Sequence, residues 1–108
     1  MLDSFNKPHS FRTIEANEFN QLLGQTPDGV VLDVRNPQEV AGGALQGAVN
    51  VDFNSPTFSR QIALLDPSKA YFVYCRSGMR SQQACELLTK QGFTTLYNLR
   101  GGLSAWPF

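Results

Sequence analysis

The sequence predicts an α/β domain, a parallel central sheet with helices on both faces. Three observations carry that reading. Short apolar runs alternate with segments of helical spacing, the order that builds strand–helix–strand crossovers. Val30-Val31-Leu32-Asp33-Val34 is nearly continuous in apolar residues, as a strand covered on both faces must be. The chain has 108 residues, 42% of them hydrophobic, which suits one domain able to build a core without staples.

Residues 1–10 are polar with one proline and predict a loosely held N-terminal segment ahead of a domain over 11–108. Phe11 to Ile14 predicts a short first strand. Ala16 to Leu23 predicts a helix with Phe19, Leu22 and Leu23 on one side and Gly24 as its stop. The Val30 run is the next strand. Asn36-Pro37-Gln38-Glu39 then supplies an Asn cap, Pro in the first turn and Glu three residues after the cap, a capping-box pattern. Gly42 and Gly43 keep that helix brief. Ala48 to Val51 predicts a strand, and Thr57 to Leu65 a helix with Phe58, Ile62 and Leu65 facing the core. Ala70 to Tyr74 is a strand that delivers Cys75. Ser81 to Gln91 predicts the following helix, with Gly92 as its stop. Thr94 to Leu99 is a last strand, and Gly101-Gly102 opens a short helical turn ending near Trp106-Pro107.

Composition removes several classes of function. Formal net charge is zero, so there is no global electrostatic case for nucleic acid or an anionic membrane. Two cysteines and one histidine are too few for a four-ligand zinc site, and no metal or cofactor is expected. No apolar stretch is long enough to cross a bilayer, and the first residues lack a signal-peptide core. A reducing cytoplasm is the expected location, with both cysteines kept as thiols.

Cys75 ends a strand in a fold whose ligand crevice lies beyond the carboxyl ends of its strands. A cysteine nucleophile acts as thiolate, with an unperturbed pKa of about 8.5, so something must favour the charged form. No histidine is near it in sequence, which argues against a Cys–His pair. Arg76 and Arg80 flank the loop, Gly78 allows a tight turn, and Ser81 is placed to cap the next helix. Backbone N–H groups of such a loop converge on one anion. The bland alternative is that a free cysteine is inert packing. That reading suits Cys85, on the apolar side of its helix, better than Cys75.

Three segments now define a resemblance. "VVLDVRNPQEVAGGALQGAVNVD" is similar to the first signature of the rhodanese family of single-domain sulfurtransferases. "VYCRSGMRS" resembles the active-site loop of that family, and "LYNLRGGLSAW" resembles its closing segment. The resemblance covers about Phe11 to Trp106. One departure is plain: Gly43-Ala44-Leu45-Gln46-Gly47 stands where the family often has Gly-His-Ile-Pro-Gly, which predicts a less rigid backbone there.

The resemblance implies that Cys75 takes a sulfane sulfur from thiosulfate or a persulfide donor. A thiol or cyanide acceptor then removes it. Arg76 and Arg80 would attract an anionic donor. The N–H groups of Arg76, Ser77, Gly78, Met79, Arg80 and Ser81 would hold the terminal sulfur, with hydroxyl help from Ser77 and Ser81. Donor and acceptor can be small molecules or protein partners, so a sulfur-carrier or binding module is an alternative reading. A phosphatase or arsenate reductase of the same fold is another. Those relatives carry one residue more in the loop, usually with His before the cysteine. Here Tyr74 precedes Cys75 and Arg80 lies five places after it, which favours sulfur over phosphate. Asp33 and Arg35 lie at a strand end, where a role near the site is one reading; the expected one is structural, as a buried ion pair or in hydrogen bonds to loop backbone. Trp106 is expected to be a core or interface aromatic, and His9 to have no role.

Overall fold

A computed structural model describes residues 11–108. The expectation for 1–10, His9 included, lies outside the described residues. Five strands and four helices follow in order: β1 Phe11–Ile14, α1 Ala16–Gly24, β2 Val30–Asp33, α2 Pro37–Ala41, β3 Val49–Asn50, α3 Phe58–Ile62, β4 Ala70–Tyr74, α4 Met79–Lys90 and β5 Thr95–Leu99. A 3-10 helix, Gly102–Ala105, closes the described chain. The strands form one sheet in the order β1-β5-β4-β2-β3, and every pairing is parallel.

β4 is central, and its alternation builds both layers of the core. Tyr71 and Val73 point into one cluster with Phe58, Ile62, Ala84 and Leu88. Phe72 and Tyr74 point into the other with Ile14, Phe19 and Leu99. Cys75 continues the first set, so its side chain turns under α4 rather than α1. Phe72 and Phe19, both fully buried, meet edge to face at 5.4 Å. Burying a ring of that size contributes roughly 1.5–3 kcal/mol. A one-residue register slip in β4 would send the thiol to the opposite face.

The capping box on α2 is formed in full. Glu39 N donates to Asn36 Oδ1 at 2.9 Å, and Asn36 N donates to Glu39 Oε1 at 3.1 Å. Several predicted boundaries move. The strand expected over Ala48 to Val51 is only Val49–Asn50, both exposed on the sheet edge. Beyond Asp33 the chain still runs alongside, with Val51 N donating to Asp33 O and Phe53 N to Val34 O. The helix expected over Thr57 to Leu65 is the shorter Phe58–Ile62. Gly24 does not stop α1; it lies inside the last turn and Gln25 caps it. The correction that bears on the site is at α4, which starts at Met79 instead of Ser81.

Candidate active site

The start of α4 explains the site. Gly78 takes φ 102° and is itself the N-cap, so the chain turns straight from loop into helix. A Cβ at that φ is strained for any L residue. Ser81 is therefore not a cap. It sits in the first turn, fully buried, with Oγ 3.4 Å from Cys75 Sγ. The Sγ also accepts from the N–H of Gly78 at 3.0 Å and of Ser81 at 3.4 Å. Met79, Arg80 and Ser81 thus belong to a helix N-terminus whose orphan N–H groups and dipole face the sulfur.

Two opposing effects set the acidity of Cys75. Burial pushes the thiol up, and this is the largest single influence. Hydrogen bonds from the Ser81 hydroxyl and from the backbone N–H groups of Ser81, Gly78 and Ser77 outweigh it, so the net shift is below the ordinary thiol range. Backbone and hydroxyl donors lead in favouring the thiolate, and the Arg80 charge also interacts with it. Cys85 shows burial unopposed. It is fully buried on the inner side of α4, and desolvation drives its thiol far up, out of reach of neutral pH. Both thiols are free.

The carbonyls of the loop must face away if its N–H groups face the sulfur. The closing segment holds them there. Leu103 N donates to Cys75 O at 2.9 Å, and Ser104 N donates to Arg76 O at 3.0 Å. That approach needs Gly102, since a Cβ there would lie 2.5 Å from the carbonyl carbon and oxygen of Arg76. Gly101-Gly102 therefore does more than open a helical turn: it turns two carbonyl dipoles away from a developing negative charge.

The two arginines part company. Arg76 is exposed, and its side chain has no hydrogen-bond or ion-pair partner among the described residues. Arg80 is committed. Its Nη1 and Nη2 reach Glu39 Oε1 and Oε2 at 2.9 and 3.0 Å, a fork-to-fork pair. That bond to Arg80 holds the Glu39 carboxyl down at about 2 against an ordinary 4.5. Of the two cations expected to attract an anionic donor, Arg80 is thus paired with Glu39 and Arg76 is not. Ser77 and Met79 are exposed, and Ser77 turns its hydroxyl to no partner among the described residues.

Asp33 and Arg35 form the expected buried ion pair, with Nε and Nη2 spanning the carboxylate at 3.0 and 2.7 Å. Arg35 Nη2 also donates to Gly43 O at 2.7 Å. Tyr74 adds what the sequence concealed. Its hydroxyl donates to Asp33 Oδ2 at 2.5 Å and accepts from Leu45 N at 2.9 Å. Burial, then the bond to Asp33, push that phenol up to about 12. Arg35 and Tyr74 thus pin the segment that lacks the histidine and proline of the family pattern. Sequence gave no signal for the Glu39–Arg80 or Tyr74–Asp33 contacts, which each join residues 41 apart.

A cleft of about 900 Å³ adjoins the loop, with Arg76, Leu103, Leu45 and Trp106 in its walls. Trp106 is half-buried and packs edge to face on Phe19 at 5.7 Å, the core role expected of it. Among the described residues no cluster of three or more His, Cys, Asp or Glu is placed to hold a metal ion.

A parallel α/β domain with a thiol seated between a central strand and a helix N-terminus defines a class of cysteine-loop proteins. Comparison with known proteins narrows it. The family model for the rhodanese-like domain matches residues 15–107, and the chain belongs to that family. It is 34% identical over 93 residues to a sulfurtransferase of Allochromatium vinosum, covering 86% of this chain and 85% of that one. It is 37% identical over 94 residues to a tRNA uridine(34) hydroxylase of Synechocystis, covering 83% of this chain but 34% of that protein, so it spans about a third of that relative. Among solved structures, a rhodanese-related protein from Thermoplasma volcanium superposes with a TM-score of 0.76 at 28% identity, covering 88% of this chain and 89% of the other. The sulfurtransferase relatives imply a sulfur donor and a sulfur acceptor as substrates in general.

Proposed function

We propose that the protein transfers sulfane sulfur through a persulfide on Cys75. The observation that carries this is the cradle: a buried Sγ ringed by the N–H groups of Gly78 and Ser81 and the Ser81 hydroxyl, with its acidity raised. In the first half-reaction the Cys75 thiolate attacks the outer sulfur of thiosulfate. The Sγ–S bond forms, the S–S bond of the donor breaks, and its electron pair leaves with sulfite. The transferred sulfur carries the negative charge, and the N–H ring of the loop stabilises it there. Arg76, the uncommitted cation, draws the anionic donor in.

In the second half-reaction an acceptor thiol gives its proton to the outer sulfur and attacks that sulfur as thiolate. The acceptor leaves as a persulfide, and the electron pair of the broken bond returns to Sγ. Cyanide takes the sulfur by the same attack and leaves as thiocyanate. Atoms and charge balance with no cofactor. The ring closes around one atom, which favours sulfur over a tetrahedral phosphate.

Initial rates at varied thiosulfate and cyanide test the scheme. A covalent intermediate predicts parallel double-reciprocal lines and negligible hydrolysis of an aryl phosphate. Intersecting lines, or phosphatase turnover without sulfur transfer, would refute it.

A further inference from the structure

Charge around the cysteine loop is sorted by pairing. Arg35 is buried and spent on Asp33 and on Gly43 O. Arg80, in the first turn of α4, spans the Glu39 carboxylate with both Nη atoms at 2.9 and 3.0 Å. Arg76 is exposed, with no side-chain partner among the described residues. Two ion pairs and one uncommitted cation leave a single net positive charge at the loop.

Glu39 is held in place by more than Arg80. Its Oε1 accepts from Asn36 N at 3.1 Å, one half of the capping box that starts α2. Its own helix therefore fixes the acid that meets Arg80. A hydrogen-bonded brace needs no acid, because a neutral amide oxygen also accepts from a guanidinium. What the carboxylate adds is a full negative charge within 3.0 Å of the cation. Seen from several ångströms away, such a pair is a dipole, whose field falls off faster than that of a charge. Close in, the cation still acts on the sulfur, since Arg80 and the Cys75 charge interact. The thiolate keeps the help of Arg80, while an ion arriving from solvent meets Arg76 as the only net charge.

Resting on the sulfur-transfer reading, we infer that Glu39 is a specificity-determining residue: acting through Arg80, it screens one cation of the site and so selects reactants of a single negative charge over dianions at Cys75. The donor class is a sulfane-sulfur monoanion with an organic group, of the form R–SO2–S⁻. The Cys75 thiolate attacks its outer sulfur, the Sγ–S bond forms, the S–S bond of the donor breaks, and its electron pair leaves with the sulfinate. Two negative charges enter the step, and two leave it, on the persulfide and the sulfinate. Thiosulfate reacts through the same bond changes but carries one charge more, for which the site has no uncommitted cation.

Ratios of rates test the screen, because the intrinsic reactivity of each reagent cancels when variants are compared. Thiosulfate and benzenethiosulfonate are compared as donors, with cyanide as acceptor. Iodoacetate and iodoacetamide are compared as alkylating agents of Cys75, which involves no sulfur transfer. Each pair of reagents differs by one negative charge. Glu39→Gln keeps the capping-box pattern and unmasks Arg80. The kcat/KM of thiosulfate relative to benzenethiosulfonate, and the alkylation rate of iodoacetate relative to iodoacetamide, should each rise about fivefold. Arg80→Gln unmasks Glu39 instead and should lower both ratios by a similar factor. The double variant should return both ratios close to wild type. A brace without a charge role would slow both members of each pair alike and leave the ratios still. Alkylation ratios that move in opposite directions in the two single variants, without persulfide formation, would uphold the screen at the thiol and sink the sulfur-transfer reading. Persulfide formation with both ratios unchanged in folded Glu39→Gln and Arg80→Gln would overturn the inference.

Discussion

In the proposed mechanism the Cys75 sulfur carries the chemistry, and four hydrogen bonds that outweigh its burial suit it to that role. Cys75→Ser is expected to abolish sulfur transfer while circular dichroism stays native, since a hydroxyl has no accessible anion in a cradle built for a thiolate. Cys85→Ala should retain transfer and lose about 1 kcal/mol of stability from the cavity it leaves; loss of transfer in that folded variant would reassign the roles. Ser81→Ala removes one donor and exposes nothing else. The pH dependence of iodoacetamide alkylation at Cys75 should move to higher pH, because the lost hydrogen bond favoured the charged form. An unmoved midpoint would assign the low thiol acidity constant to the backbone alone. The thiol, the glycine and the serine of this loop were legible in sequence as residues. The role of Ser81 was not, because capping and sulfur contact differ by where the helix starts, and Gly78 moves that start two residues forward.

Elements matter here through what their ends point at. Strand β4 aims the thiol, α4 supplies N–H groups, and the 3-10 helix at Gly102 turns the loop carbonyls outward. Gly102→Ala would drive a Cβ to 2.5 Å from the Arg76 backbone. It should cost on the order of 1–3 kcal/mol and slow alkylation of Cys75 as the cradle opens. Gly24→Ala is the counterpart. Nothing lies within 4 Å of its Cβ position in the last turn of α1, so that variant should stabilise by about 0.5–1 kcal/mol. Urea unfolding of both variants checks the opposite signs. Element existence and order were readable because parallel strands are apolar runs and α2 carries a full capping box. Element ends were not. β3 sits on the sheet edge with both residues exposed, so burial leaves no pattern there to mark where pairing stops.

At the scale of the whole molecule, the Glu39–Arg80 pair ties α2 to α4 across the mouth of the site. The side chains are 22% and 26% exposed, so the pair is worth about 1 kcal/mol. The Glu39 carboxyl is held at about 2 against 4.5. A depressed folded-state value means the contribution is complete above about pH 4.5 and is lost as pH falls toward 2. Glu39→Gln should therefore be less stable than wild type at pH 6 and equal to it near pH 2; a difference constant with pH would deny the coupling. Long-range pairs of this kind are set by topology, which is why a sequence that displays its cysteine loop hides the partner of Arg80. The central claim is that Cys75 carries transferred sulfur, and intact-mass analysis after incubation with thiosulfate tests it directly. The account predicts an added mass of about 32 Da, one sulfur atom held as the covalent intermediate, mapped to Cys75 and removed by cyanide. An unchanged mass in the folded protein, or sulfur mapped to Cys85, would contradict it.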